Sequence, residues 1–298
     1  MSGNRGPHRK GHYSKHRNDK AKVGDKGREV LEQIDDNNPV IKMFKEYGAE
    51  LDTKHDRHER IVKISRDITI ESKRIIFLLH SAATDLEHKR EQIFNEADLR
   101  LNQLIEKSFK GIALELEDHD PYLYLRAYTA GVQEFIEALL YYQFLRYGEI
   151  QPSQNLCEKF KYMIPILPKG NDNTEVMEIS NREVVMVIPL TEFFLGMADF
   201  TGELMRRCIN NLGSGNIDDC FRICNYVKDI YMGFLSINSS GYKEIGRKIY
   251  ILKQSLLKME YVCYNIQVRG SEIPKHMLAT VINANNAEVN NEEDEGYY

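Results

Sequence analysis

Residues 131–145, GVQEFIEALLYYQFL, and residues 193–207, FFLGMADFTGELMRR, are the two stretches that decide the fold. Both are apolar except for a narrow polar stripe, a pattern typical of helices that face a protein core. The first stripe holds Glu134 and Glu137, three residues apart, and the second holds Asp199 and Glu203, four residues apart. Such spacing places both carboxylates of a pair on the same side of their helix. The sequence therefore predicts two core-facing helices that each carry an acidic pair.

The two acidic pairs would suit a divalent metal ion if the helices lie side by side. Carboxylates are rarely buried unless they are paired or bound to a metal, and oxygen ligands favour Mg²⁺ or Mn²⁺. A redox di-iron site would need Glu-x-x-His pairs, and no histidine lies within one turn of these acids. Such ions act on phosphoryl groups. We therefore predict a carboxylate metal site with a phosphodiester or nucleotide substrate, in which the four acids are the ligands.

A structural interpretation of the acidic pairs stays open. Acids at helical spacing commonly face solvent or pair with a base one turn away, and Arg206 could neutralise Glu203. Gly131, Gly196 and Gly202 are poor helix formers, at about 1 kcal/mol each relative to Ala. They indicate either close helix packing or access for a ligand. The chain could instead be a structural, nucleic-acid-binding partner without catalysis, or a phosphatase of small substrates.

Helical patterns dominate the chain. Asn38 followed by Pro39 predicts a helix start. The β-branched segment 183–188 resembles a strand, but Pro189 and the apolar run after it favour a helix start there instead. The sequence predicts an all-α protein of six or seven helices, at residues 39–80, 84–110, 121–147, 154–163, 189–211, 217–236 and 242–268.

The composition predicts one folded domain between two tails. The chain has 298 residues and a net charge of -5, with a basic segment at 1–37 and an acidic one at 281–298. Neither segment has enough apolar surface to offset the entropy of ordering, so both are expected to be disordered. The basic segment is typical of a nuclear localisation signal or a nucleic-acid-binding arm. Residues 38–280 then form the helical domain.

Membrane insertion and structural metal binding by cysteine are not indicated. No apolar run approaches the length of a transmembrane helix, and the basic N-terminus is not followed by the apolar stretch of a signal peptide. The five cysteines are sparse and odd in number, which favours free thiols in a reducing compartment. Cys220 and Cys224 are one turn apart but lack a second pair with zinc spacing.

A phosphodiester substrate requires cationic contacts. Arg66, Lys73 and Arg74 lie roughly on one side of the first helix and are the predicted nucleic-acid-binding residues. The alternative is that they form its solvated face. His80 ends an apolar run, so we expect a cap or core histidine there rather than a ligand.

Four runs of sequence resemble the translin family. They are HDRHERIVKISRDITIESKRIIFLLH (55–80), GVQEFIEALLYYQFL (131–145), GMADFTGELMRRCIN (196–210) and QVRGSEIPKHMLA (267–279). The resemblance covers roughly residues 39–279 and excludes both tails. It implies a seven-helix translin-fold bundle with long helices.

The resemblance also implies a function. It implies a hetero-oligomer with translin, a closed octameric shell, in which this subunit is a Mg²⁺-dependent endoribonuclease. That complex cleaves single-stranded RNA, including passenger-strand fragments of small interfering RNA and transfer-RNA fragments, and promotes activation of the RNA-induced silencing complex. Binding of single-stranded DNA and a location in cytoplasm and nucleus are further expectations, with no membrane partner. The family's catalytic acids match Glu134, Glu137, Asp199 and Glu203. The alternative is a non-catalytic DNA- and RNA-binding partner that stabilises translin.

Overall fold

A computed structural model of the chain describes residues 37–82, 86–151, 153–165, 181–214, 216–237 and 242–269. The predicted tails, 1–37 and 281–298, lie outside these residues except for Asn37. Helices make up most of the described chain, which confirms the predicted all-α class. Among the described residues, none of the helices has the length and apolar character needed to cross a membrane.

The first helix, α1 (Pro39–His80), has the predicted bounds. Its start is capped by Asn38, whose Oδ1 accepts a hydrogen bond from the Val40 backbone N–H at 2.9 Å. The chain up to Asp56 and the chain from Arg57 onward form two separate units. In the first unit, five large apolar side chains of α1 are exposed: Val40, Met43, Phe44, Tyr47 and Leu51.

From Arg57 onward, α1 buries one face. Its fully or nearly fully buried residues are spaced four and three apart: Ile61, Ser65, Ile68, Ser72, Ile75 and Leu79. Residues at this spacing lie on the same face of a helix. The serines in the stripe are small, and Ser65 receives the backbone of another helix: the Gly131 N–H donates to the Ser65 Oγ at 3.2 Å.

The second helical stretch is longer than predicted. It consists of α2 (Glu87–Gln103), a π-helical turn (Leu104–Phe109) and α3 (Lys110–Leu116), which follow one another without a break. The prediction of 84–110 is therefore wrong at both ends. Gly111 lies inside α3 and does not end the helix. A Cβ there would make only an ordinary contact, 3.5 Å from Ile64 Cδ1.

The other helices are close to their predicted positions. Gly148 ends the helix α4 (Leu125–Tyr147) in the left-handed conformation, with φ of 82°, which glycine adopts without a steric penalty. With α2 and α3 counted as one, the described chain contains seven helices. The remaining elements are a 3-10 turn (Pro121–Tyr124), α4 (Leu125–Tyr147), α5 (Ser153–Lys159), α6 (Leu190–Ser214), α7 (Ile217–Ser236) and α8 (Lys243–Arg269).

A short β-hairpin corrects the prediction that the segment before Pro189 is not a strand. β1 (Lys161–Pro165) pairs antiparallel with β2 (Asn181–Val185), and Tyr162 lies opposite Val184. Both of these side chains are buried, so one face of the hairpin covers the core. The predicted short helix at 154–163 ends at Lys159 for the same reason. Because the two strands are separated in sequence, their pairing has no local signal.

The helix α4 lies at the centre of the core and packs most extensively against α6, which in turn packs against α7 and α8. Near the middle of α4, Phe135 meets Phe109 of the π turn with ring centroids 4.8 Å apart, and Phe109 meets Phe160 at 5.0 Å. All five cysteines are free, as predicted. The two stretches that carry the acidic pairs therefore form the central helix pair.

Candidate active site

The helices α4 and α6 approach each other closely one turn from the acidic residues. A Cβ on Gly196 would lie 2.7 Å from the Gln133 carbonyl oxygen and 2.8 Å from Ile136 Cβ. Only glycine permits this approach. A Cβ on Gly202, by contrast, would meet nothing within 4 Å. The sequence left two roles open for these glycines, close helix packing and access for a ligand. Gly196 serves close helix packing, whereas Gly202 leaves open space beside Glu203.

The four predicted acids share one electrostatic environment. Burial, together with the negative charges of Asp199, Glu134 and Glu203, raises the pKa of Glu137 to about 8. No described residue donates a hydrogen bond to Glu137 or forms an ion pair with it. Tertiary structure thus brings together residues that are about 60 positions apart in sequence, with Glu137 at the centre of the group.

The other three carboxylates each have a basic partner. Lys73 of α1 reaches Glu134, with Nζ 3.0 Å from Oε1, and Lys248 of α8 pairs with Asp199. These cations offset part of the charge that four neighbouring carboxylates would otherwise concentrate.

His80 is the partner of Glu203, a role that the sequence pattern did not indicate. Its Nε2 pairs with the Glu203 carboxylate, and the Tyr141 hydroxyl lies 3.0 Å from its Nδ1. The hydrogen bond from His80 is the main reason that the pKa of Glu203 is below its usual value. Arg206, the predicted partner, adds a weaker contact at 3.7 Å. The only signal in the sequence is that His80 ends the apolar stripe of α1.

The three predicted nucleic-acid-binding residues differ in what they contact. Lys73 belongs to the carboxylate group, although most of its side chain is exposed. Arg74 is exposed and pairs with Glu71 at 3.3 Å, and Arg66 is exposed on the same helix. The structure therefore connects one of the three basic residues directly to the acidic group.

A divalent metal ion fits this group in its donor chemistry. All four side chains offer carboxylate oxygens, and the raised pKa of Glu137 reflects first its burial and then the negative charges of its neighbours, which a cation would offset. Among the described residues, however, no three acidic, histidine or cysteine side chains are arranged to hold one ion. The four carboxylates form a shared charge cluster, in which Lys73 pairs with Glu134 and Lys248 pairs with Asp199.

A fifth carboxylate joins the same two helices and was missed. Glu192, in the first turn of α6, is buried and accepts hydrogen bonds from Thr129 and from Gln133 Nε2, the latter at 2.6 Å. Both partners are uncharged residues of α4. This contact therefore joins α6 to α4 at a point outside the four-carboxylate cluster. Local sequence offers no signal for it beyond an acid beside an apolar run.

The translin family model matches residues 56–270, which includes the whole carboxylate cluster. The chain belongs to the translin family. It is 39% identical to translin-associated protein X of Pongo abelii over 266 residues, 87% of this chain and 89% of that protein. The translin-associated protein X homolog of Schizosaccharomyces pombe is 24% identical over 220 residues, 73% of this chain and 84% of that protein.

Solved structures confirm the predicted translin fold. A structure described as apo-NeC3PO has a TM-score of 0.52 and 18% identity, and covers 74% of this chain and 94% of its own. A structure described as an AfC3PO–duplex RNA complex has a TM-score of 0.51 and 18% identity, and covers 80% of this chain and 97% of its own. At this identity, the likeness shows the shared fold.

Proposed function

We propose that this translin-family chain is the catalytic subunit of a translin-containing complex that cleaves single-stranded RNA with Mg²⁺ or Mn²⁺. The observation that carries the proposal is the position of Glu137, which is half-buried, has no described hydrogen-bond or ion-pair partner, and lies in the field of three other carboxylates. Neighbouring carboxylates repel one another, so their concentration destabilises the folded state. Such concentrations of charge are typical of sites that bind a cation or carry out a reaction. One solved structure with this fold, described as an AfC3PO–duplex RNA complex, supports RNA as the ligand class.

Each side chain of the cluster has a role in this proposal. Glu134, Glu137, Asp199 and Glu203 would hold the ion through their oxygens. A bound divalent cation supplies Lewis acidity toward a phosphodiester oxygen and lowers the pKa of a water. The contacts of His80 fix the orientation of Glu203 and keep it ionised.

Basic residues would bind the RNA backbone next to the cluster. Lys73 is suited to this because its ammonium group lies at Glu134 while its side chain is 63% exposed. Its ammonium group would contact an RNA phosphate placed beside Glu134. Arg66 and Arg74 extend the basic surface along α1. Contacts of this kind weaken as salt rises.

Translin is the proposed partner, in a hetero-oligomer with eight subunits. The support is the family membership and the name of the relatives. A further support is the exposed apolar stripe of α1 before Asp56, where Phe44 and Leu51 are each 64% exposed. Apolar surface of this kind commonly marks an interface. We expect the chain to be aggregated or degraded when expressed alone and soluble when co-expressed with translin, as measured by sedimentation. A stable monomer would contradict this proposal.

A second candidate function is a non-catalytic partner that binds single-stranded nucleic acid. The observation that favours it is that three of the four carboxylates already have basic partners, and that no described set of three side chains is arranged to hold an ion. In that case the acids serve as an ion-pair cluster that joins α1, α4, α6 and α8.

An RNA cleavage assay separates the two functions. The complex with translin is incubated with end-labelled single-stranded RNA, with Mg²⁺ or with chelator, and binding is measured in parallel. We expect Mg²⁺-dependent cleavage that Glu134→Ala and Asp199→Ala abolish, while assembly and RNA binding persist. Glu149→Ala, at an exposed acid just after α4, is the matched control. RNA binding with no cleavage in Mg²⁺ would favour the non-catalytic function, whereas full cleavage by either cluster variant, or equal cleavage in chelator, would refute the proposed role of these carboxylates.

A further inference from the structure

Four of the five cysteines of the chain lie together in the core, outside the carboxylate cluster. They come from three helices: Cys208 from α6, Cys220 and Cys224 from α7, and Cys263 from α8. All four are buried, whereas Cys157 is exposed. The folded chain therefore gathers its buried thiols in one place, although Cys208 and Cys263 are far apart in the sequence.

The four sulfur atoms are in contact with one another and with a small region of backbone. Cys208 Sγ and Cys263 Sγ lie 3.9 Å and 3.8 Å from the same atom, the carbonyl oxygen of Cys220. Cys220 Sγ in turn lies 3.3 Å from the carbonyl oxygen of Cys208. The thiols also form hydrogen bonds with one another, Cys208 with Cys220 and Cys263, and Cys263 with Cys224. The contacts thus run in the order Cys220, Cys208, Cys263, Cys224.

Neighbouring thiols can bind a thiophilic metal ion or be oxidised to a disulfide. In the part of the chain that the structure describes, no three cysteine, histidine or acidic side chains are arranged to hold one ion. A disulfide requires only two sulfurs, which approach to about 2.05 Å when the bond forms. Two thiols that already share a hydrogen bond are neighbours in the way that this bond requires, so the contacts favour a disulfide.

Exposure distinguishes the outer pair of thiols from the inner pair. Cys208 and Cys220 are 0% exposed, whereas Cys224 and Cys263 are 6% and 8% exposed. A small oxidant from solvent therefore reaches the outer pair first. Hydrogen bonds from the Cys208 and Cys224 thiols lower the pKa of Cys263, and the thiolate is the form of cysteine that reacts. Cys263 is thus the nucleophile of the outer pair.

We propose that Cys263 and Cys224 are a peroxide-sensitive thiol pair that forms a disulfide between α8 and α7. The Cys263 sulfur attacks one oxygen of hydrogen peroxide, and the O–O bond breaks to give a sulfenic acid and a hydroxide, which takes up a proton as water. The Cys224 sulfur then attacks the Cys263 sulfur, and the hydroxyl group leaves with the Cys224 proton as a second water. Two thiols lose two electrons, and one peroxide is reduced to two waters. A dithiol reductant reverses the reaction.

The disulfide would change the properties of the folded chain. In a reducing compartment, which the cysteine usage predicts, disulfides are usually transient and redox-sensing, and all the cysteines are free in this structure. The bond would join α7 covalently to α8, the helix that supplies Lys248 to Asp199. A cross-link that restricts the unfolded chain stabilises the folded state. The oxidised chain should therefore resist unfolding more strongly than the reduced chain.

The experiment treats the full chain, in the assembly in which it purifies, with hydrogen peroxide. The remaining thiols are alkylated in denaturant, and the peptides are mapped by mass spectrometry without reduction. We expect a peptide pair that joins Cys224 to Cys263 and is lost after treatment with dithiothreitol, while Cys208 and Cys220 are recovered in alkylated form. The midpoint of urea unfolding should rise by about 1 M on oxidation and return on reduction.

Two variants and the wild-type map decide the proposal. Cys263→Ser should lose both the cross-link and the rise in urea midpoint, whereas the matched control Cys157→Ser, at an exposed thiol, should keep both. The proposal is overturned if the cluster stays reduced at a peroxide concentration that oxidises Cys157, or if Cys263 is found bonded to Cys208 instead. Release of one zinc ion per chain on titration with a mercurial would also overturn it, in favour of a metal site. Because the readouts do not involve RNA cleavage, the result is independent of the catalytic proposal.

Discussion

Replacing Glu137 with glutamine tests whether the carboxylates are concentrated around this residue. The pKa of Glu137 is raised from 4.5 to about 8 by burial and by its acidic neighbours. A raised carboxyl pKa means that the folded state binds the proton more tightly, so stability falls as pH rises from about 4.5 to about 8 and is then constant. At 1.4 kcal/mol per pKa unit, ionisation costs on the order of 3–5 kcal/mol at pH 9. A glutamine side chain does not ionise, so Glu137→Gln should stabilise the fold by that order at pH 9 and hardly at all at pH 4.5.

The assay is urea unfolding of the purified complex with translin, in chelator at pH 5, 7 and 9, followed by far-ultraviolet circular dichroism. The matched control is Glu158→Gln, at an acid whose side chain is 71% exposed and paired with Lys161. It should change the free energy of unfolding by less than about 1 kcal/mol at every pH. Added Mg²⁺ should stabilise the wild type at pH 9 more than the Glu137→Gln variant. A stability gain that does not depend on pH, or a loss at pH 9, would refute the placement of Glu137 among the other carboxylates.

Three further substitutions test the packing and the charges around the cluster. Gly196→Ala should lower the free energy of urea unfolding by about 1–3 kcal/mol, since its Cβ would lie 2.7 Å from a backbone oxygen of α4. As the control, Gly202→Ala should be neutral or stabilising by up to about 1 kcal/mol. Equal changes in stability for the two variants would contradict the close approach of α6 to α4. His80→Asn removes the main cause of the lowered pKa of Glu203. A lowered carboxyl pKa stabilises the fold above about pH 4.5, and this contribution is lost in acid. The free energy of unfolding of the wild type should therefore exceed that of the variant at pH 6, and the difference should shrink below pH 4 in an acid titration. A difference that stays constant with pH would argue against this pair. Phe160→Ala should cost about 3–5 kcal/mol by urea midpoint, because the ring is 1% exposed between two other aromatic rings; a cost under 1 kcal/mol would show that the hairpin end of the core is not packed in this way.

Helix patterns in the sequence were informative because their signals are local. The cap formed by Asn38 and Pro39 sets the start of α1, and the apolar run after Pro189 leads into α6. The prediction failed for β2 (Asn181–Val185), which depends on pairing with a strand that is distant in sequence. A strand that gains its stability from a remote partner has no periodic signal of its own over five residues.

The acidic residues show the same division between local and distant information. Spacing placed Glu134 with Glu137 and Asp199 with Glu203 on common helix faces, and their types indicated hard oxygen ligands. Spacing cannot report the distance between two helices. Only the tertiary structure decided that the pairs converge, because a glycine on α6 lets its backbone reach α4.

The basic partners of the acids also came from the tertiary structure alone. His80 and Lys73 lie on α1 and Lys248 lies on α8, each far in sequence from the carboxylate that it contacts. The sequence by itself determined an all-α translin-family chain with two acidic pairs on core-facing helices. The fold decided which charges meet, because the Coulomb energy depends on separation in space, and helices packed side by side bring together residues that the chain keeps apart.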